Sequence, residues 1–338
     1  MELSNGDFIA DLNRWYKAYI DNIKALSYSI NTLELYSRAI DTFIEYSRQY
    51  QDEVQLNELK SMYFTSYLAY LEDDARKKGK KLTNGSYLSK STKQTYLKAI
   101  RAFFSFISDN NDELHTFERF FKNIKVADSS KQEEKIIYLN DEEIGKILNV
   151  IEREKGHRKD VYGTYRNAFL IKLMLYAGLR ISEALKVRLK DFSQSEEEGM
   201  LQIFIQAKGG KSQIGFINAK TIEDELDYFE NIEKLHRDEM VMRTNTGKPL
   251  DRTNAFIIVN RTYKRAGVMY KEGLHLLRHS LAMRLTLRNV NPVVVQKVLR
   301  HSKITTTTIY AKATAGAVAG ALVDKEEPLR CFIAHDDK

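Results

Sequence analysis

Ala127-Asp128-Ser129-Ser130-Lys131-Gln132-Glu133-Glu134-Lys135 is polar after its first residue and carries no apolar periodicity, so it reads as a linker. Residues 127–138 are assigned to it, with a separate body of sequence on each side. Towards the N-terminus, Leu12, Trp15, Tyr16, Tyr19, Ile20 and Ile23 recur at helical spacing, and Ile30, Leu33, Tyr36, Ile40, Phe43 and Ile44 repeat the pattern. A third helix is predicted over roughly Leu59 to Leu71. A fourth, with Tyr96, Ile100, Phe103, Phe104 and Ile107, follows a cap at Ser89 to Thr92. Antiparallel helices of this length make a bundle, placed at 1–126. Their aromatic side chains read as core, with nucleobase stacking the alternative.

Beyond the linker, residues 139–338 form the second body. Asn140-Asp141-Glu142-Glu143 caps a helix that continues through Ile144, Ile147, Leu148 and Ile151. Tyr162 to Ala177 reads as a buried helix that ends at Gly178. Leu201-Gln202-Ile203-Phe204-Ile205 and Gln213-Ile214-Gly215-Phe216-Ile217 flank a Lys208-Gly209-Gly210-Lys211 turn, which is a β-hairpin pattern. Val187 to Phe192 is the candidate third strand. The fold class is therefore mainly α with a small antiparallel β-sheet.

With 338 residues, two domains are the natural division. Three prolines leave long helices unbroken, and a net charge of +7 suits a polyanionic partner without requiring one. Cys331 is the single cysteine, which excludes an internal disulfide and a cysteine-based zinc site and fits a reducing cytoplasm. Neither a cleavable signal nor a membrane-spanning run is expected. Lys77, Lys78, Lys80 and Lys81, with Gly79 and Gly85, read as a basic loop that is either a solvated connector or a phosphate contact.

The chemistry-bearing residues gather later. Gly178-Leu179-Arg180-Ile181-Ser182-Glu183 puts an arginine just past a helix-ending glycine, where alone it would read as a surface or capping residue. His275-Leu276-Leu277-Arg278-His279-Ser280 places an imidazole and a guanidinium on nearly one helix face. Leu299-Arg300-His301-Ser302 and Thr307-Thr308-Ile309-Tyr310 follow. Two arginines can bind the non-bridging oxygens of one phosphate, an imidazole can move a proton, and a phenol can act as nucleophile. This combination points to covalent chemistry on a phosphodiester.

In that order and spacing, these motifs resemble the boxes of the tyrosine recombinases, most closely the Xer type. The resemblance covers most of the chain and implies a helical, SAM-like core-binding domain, a linker and a catalytic domain. It implies that Tyr310 attacks the scissile phosphate, giving a 3′-phosphotyrosyl bond, while Arg180 and Arg278 clamp the phosphate. His275 would take the phenolic proton, His301 would bond a phosphate oxygen, and Lys208 would protonate the leaving 5′-oxygen. Glu183 would support Arg180 or His275. No metal, ATP or other cofactor is implied. The partner would be double-stranded DNA with a specific recombination site, bound by a homotetramer on two sites. Residues 311–338 would exchange between protomers. A DNA translocase of the division apparatus is a further expected partner, and the location would be cytoplasmic at the nucleoid.

Ala207 stands where the family's hairpin usually has glycine, leaving Lys211 as the rival to Lys208. Arg300 replaces a common glycine, and with Lys211 it joins the candidate DNA contacts. Tyr263 and Tyr270 are nearby phenols without the Thr-Thr-x-Ile setting. A zinc hydrolase built on His275, His279 and His301 fails for want of a glutamate after the first histidine, where Leu276 stands. A non-catalytic architectural DNA-binding protein would leave Arg180, His275, Arg278, His301 and Tyr310 without a task. Between resolution of chromosome dimers and integration or excision of a mobile element, the start of the first helix near Met1 favours the former.

Overall fold

Helix α1 (Phe8–Ala25) starts where the Asp7 carboxylate accepts the backbone N–H groups of Ile9 and Ala10 at 2.9 and 3.0 Å. The computed structural model describes residues 1–49, 54–79, 82, 87–126, 137–157, 159–206, 212–268, 271 and 273–300. The chain divides into two compact units, Met1–Glu133 and Glu134–Lys338.

In the first unit, α2 (Ile30–Gln49), α3 (Ser61–Lys77), α4 (Lys90–Asn110) and the short α5 (Glu118–Phe121) complete a helical bundle with α1. The apolar stripes face one another: Leu12, Trp15, Phe43, Phe64, Tyr67, Phe103 and Phe104 are fully buried. Ring packing is largely edge to face, with Phe64 and Phe104 at 5.0 Å and 87° and Phe43 and Tyr67 at 5.0 Å and 84°. Buried polar tips find partners: Trp15 Nε1–H donates to the Leu3 carbonyl at 3.0 Å and the Tyr67 hydroxyl to that of Ala39 at 3.0 Å.

One expectation needs correction here. Helix α3 runs to Lys77, well past Leu71, so Lys77 and Lys78 form a helix end instead of a loop. The extension has no apolar stripe. Charge pairs hold it: Asp73 to Arg76 at 3.8 Å, Asp74 to Lys78 at 2.5 Å, and Glu72 to Lys93 of α4 at 2.8 Å. The Phe117-Glu118-Arg119-Phe120-Phe121 run was not expected as structure, yet its three phenylalanines are buried in the bundle core.

In the second unit, α6 (Asp141–Glu154) begins in a reciprocal cap. Asn140 Oδ1 accepts the Glu143 N–H at 2.8 Å, and Glu143 Oε2 accepts the Asn140 N–H at 2.8 Å. Asn140→Ala is expected to cost about 1 kcal/mol, read as a lower urea midpoint at unchanged slope. Helix α7 (Val161–Tyr176) is the central element. Phe169, Leu170, Ile171, Leu173, Met174 and Leu175 are all fully buried, and neighbours cover it on several sides. After α8 (Ile181–Ala184) come β1 (Phe192–Gln194), β2 (Met200–Gln206), β3 (Ser212–Asn218), α9 (Ala219–Asp227), α10 (Arg252–Arg265), α11 (His275–Leu287) and α12 (Pro292–Leu299).

The sheet is antiparallel in the order β1-β2-β3, with Leu201 opposite Ile217 and Ile203 opposite Gly215. Leu201, Ile203, Ile205 and Ile217 point into the core, while Phe204, Ile214 and Phe216 stay exposed. The third strand is Phe192–Gln194, not Val187 to Phe192. Leu189–Asp191 forms a 3₁₀ turn instead, because the Asp191 carboxylate accepts the Arg188 N–H at 2.9 Å and closes the backbone there.

An ion cluster sits inside this unit. Lys172 of α7 lies 2.9 and 3.0 Å from the two oxygens of Glu225 and 2.7 Å from Glu152. Lys155, just past α6, also pairs with Glu152 and Glu225. Burial draws the Lys155 ammonium down, but the two carboxylates outweigh it and leave the group above its ordinary range.

Candidate active site

Helix α7 stops because Gly178 takes a left-handed conformation at φ +60°. A side chain there would be strained and would crowd two leucines: a Cβ would lie 2.9 Å from Leu281 Cδ2 and 3.2 Å from Leu299 Cδ2. The turn delivers Arg180 to the start of α8. There the Arg180 N–H donates to Glu183 Oε2 at 2.8 Å and its guanidinium to Glu183 Oε1 at 2.7 Å and to the Arg300 carbonyl at 2.9 Å. About a third of the Arg180 side chain remains open to solvent, at 37%. Burial pushes the Glu183 carboxyl up, but the Arg180 N–H, the Arg180 guanidinium and the Arg300 charge outweigh that and hold it below the usual range.

Helix α11 supplies His275 in its first turn and Arg278 one turn later. Arg278 is buried, and its guanidinium donates to the carbonyls of Gly178 and Leu299. The guanidinium is thus fixed against the same turn that presents Arg180. His275 is exposed, and its imidazole is shifted down by partial desolvation, then by the charges of Arg252, Arg278 and Arg180. His279, whose ring lies 6.4 Å from that of His275, is shifted down by desolvation, His275 and Arg278. At neutral pH an imidazole so placed is a proton acceptor.

Both histidines sit below their ordinary value of 6.5 in the folded chain, so the unfolded chain takes up protons first as the pH falls. Their effect is absent above that value and becomes destabilising below it. His275→Gln/His279→Gln is expected to flatten the dependence of the urea midpoint between about pH 7 and 5.

The structure brings Arg180, Glu183, His275 and Arg278 into one neighbourhood. Lys208, Lys211, His301, Tyr310, Lys80, Lys81 and Tyr270 lie outside the described residues. Glu183 pairs with Arg180 and with Arg300, at 3.1 Å for the latter, and not with His275. Tyr263, a rival phenol in sequence, is 1% exposed, donates to the Gly273 carbonyl at 3.3 Å and is shifted upward by burial. Arg300, expected among the DNA contacts, is instead buried and turned into the protein. Its backbone explains the glycine common at that position: Arg300 caps α12 in the left-handed region, at φ 52° and ψ 44°. Sequence reading missed Arg252, whose charge acts on His275 from the start of α10. An arginine after a capping aspartate, with no motif around it, carried no signal.

Two guanidinium groups fixed around one turn, with a neutral-leaning imidazole alongside, make a site for an anion with a nearby proton acceptor. Comparisons with known proteins agree in kind. Residues 138–316 match the phage integrase family, and residues 11–106 match the phage integrase SAM-like domain. Tyrosine recombinase XerH of Campylobacter jejuni is 32% identical over 227 residues, which is 66% of this chain and 62% of that protein. XerH of Helicobacter pylori is 30% identical over 230 residues, with the same coverage of 66% and 62%. The chain therefore spans less than two thirds of the length of these two relatives. A crystal structure of XerH bound to palindromic difH substrate, in a post-cleavage complex, superposes with a TM-score of 0.73 at 25% identity. It covers 94% of this chain and 85% of that one.

Proposed function

This chain belongs to the phage integrase family, and we propose that it is a Xer-type site-specific recombinase that cuts and rejoins duplex DNA. The observation that carries this reading is the convergence of Arg180 and Arg278 on the Gly178 turn, with His275 beside them. Arg180 and Arg278 hold the scissile phosphate and offset the charge that builds up in the pentacoordinate transition state. The Tyr310 oxygen bonds to phosphorus as the bond to the 5′-oxygen breaks. A phenol ionises near pH 10, so the attack needs a base, and His275 takes its proton. Lys208 gives a proton to the departing oxygen, and His301 donates to a phosphate oxygen. The 5′-hydroxyl of a partner strand then reverses the step. One phosphate ester replaces another, so no nucleotide hydrolysis is required.

Residues 1–126 and 139–338, joined by the linker 127–138, would grip the duplex as core-binding and catalytic domains. The working form is a homotetramer on two sites, cyclically joined through 311–338. The biological role is resolution of chromosome dimers at the nucleoid, in concert with a division-linked translocase. The kinship to two proteins named tyrosine recombinase XerH supports the recombinase reading.

The test is covalent capture. Duplexes that the protein itself selects from a randomised pool are nicked near the centre and incubated with it. An adduct that survives SDS, with a free 5′-hydroxyl and Tyr310 in the DNA-bearing peptide, is expected. Tight binding without any adduct would establish the architectural alternative. Two directly repeated copies of the selected site on one plasmid should yield two circles.

A further inference from the structure

The geometry points to Arg300 as a positioning residue that locks the Arg180–Glu183 pair to the end of α12, against the sheet. Arg300 is 9% exposed, too enclosed to be a surface charge. Its guanidinium donates to the Gly178 carbonyl at 2.9 Å, to the Val298 carbonyl at 3.1 Å and to Glu183 Oε2 at 3.1 Å. Its own carbonyl accepts from Arg180 at 2.9 Å, so Arg300 meets the pair at both ends, through its backbone oxygen on Arg180 and its guanidinium on Glu183. Glu183 is the bridge, with one carboxylate oxygen on each guanidinium.

The sheet joins the same knot. Gly215 of β3 faces this guanidinium, and a Cβ there would lie 3.2 Å from Arg300 Nη1 and 3.1 Å from Ile205 Cδ1. Glycine thus leaves the room that the arginine fills. Four segments meet at one cation: the end of α7, the start of α8, β3 and the end of α12. Arg300 fixes where Arg180 points, without touching DNA. A buried cation with several fixed acceptors needs a planar fork, which lysine lacks.

This inference rests on the recombinase reading, and the experiment separates the two. Single-turnover adduct formation on nicked duplexes bearing the selected site is measured beside equilibrium binding. The variants are Arg300→Gly, Glu183→Gln and the double change. Glycine suits the left-handed backbone at 300, so the substitution removes the guanidinium without imposing strain. Arg300→Gly is expected to form adduct about 10- to 100-fold more slowly while binding DNA within about threefold of the unmutated protein. Because Arg300 acts through Glu183, the double variant should be no slower than the slower single variant.

Unchanged cleavage in Arg300→Gly overturns the inference, and so do single effects that multiply in the double variant. If Arg300→Gly shows no cooperative melt, Arg300→Lys replaces it. A roughly fivefold or greater slowing at unchanged affinity is then expected, and an unchanged rate is fatal. If the unmutated protein forms no adduct, the recombinase reading falls and takes this one with it.

Discussion

Arg278→Ala is expected to slow covalent adduct formation about 10²- to 10³-fold, the scale of removing one fixed donor from a charge-developing transition state. The expectation comes from how Arg278 is held. Its side chain is buried and fixed by the carbonyls of Gly178 and Leu299, so it is oriented before any phosphate arrives. Preorganised charge stabilises a transition state more than a mobile charge does, because nothing must be reordered during the reaction. The same bonds give the variant a structural cost, since two buried carbonyls lose a donor. Urea melts and DNA affinity, measured alongside, separate the effects: the cleavage rate should fall far more than either. Arg278→Lys should restore little, because one ammonium cannot span both carbonyls and a phosphate oxygen. Tyr310→Phe supplies the background rate. An Arg278→Ala rate within threefold of the unmutated protein would remove this residue from the proposed mechanism.

Glu225→Ala is expected to lower stability by about 3–5 kcal/mol, the cost of breaking a buried ion pair from one side. Glu225 is fully buried and touches both Lys172 and Lys155, whose side chains are 9% and 7% exposed. Its removal leaves Glu152, 41% exposed, as the remaining carboxylate that both ammonium groups touch. The melting temperature should drop by several degrees, with cleavage at low temperature little changed. The cluster also has a pH signature. Burial raises the Glu152 carboxyl, but Lys155 and Lys172 outweigh it and hold the group below its ordinary 4.5. The unfolded chain therefore takes up the proton first. This contribution is complete above the ordinary value and is lost as the pH falls through the lowered one. Acid unfolding monitored by circular dichroism should begin at higher pH in Glu152→Gln.

The helical stripes of the first unit, the cap at Asn140 and the β2–β3 hairpin were legible in sequence because each depends on local spacing or one side-chain bond. Charge-paired segments were not. The end of α3 has no apolar period, and only the tertiary partner of Glu72 shows why it stays helical. The third strand slipped for a different reason: Val187 to Phe192 has β-forming residues, and their pattern outweighed the turn that Asp191 closes within them. At the site, Arg180, Glu183, His275 and Arg278 were named from their motifs. The inward turn of Arg300 was invisible because a charge in sequence carries no burial. The charge of Arg252 on His275 depends on how α10 packs, which no local pattern records.

Helix α7 has almost no face of its own to offer water. Taken away from its neighbours it would be a sticky, insoluble peptide, so the second unit cannot be divided through it. Split-protein designs and permuted termini should fail anywhere within Val161–Tyr176. A protease that nicks the folded protein should find no lasting cut there until the entire unit comes apart.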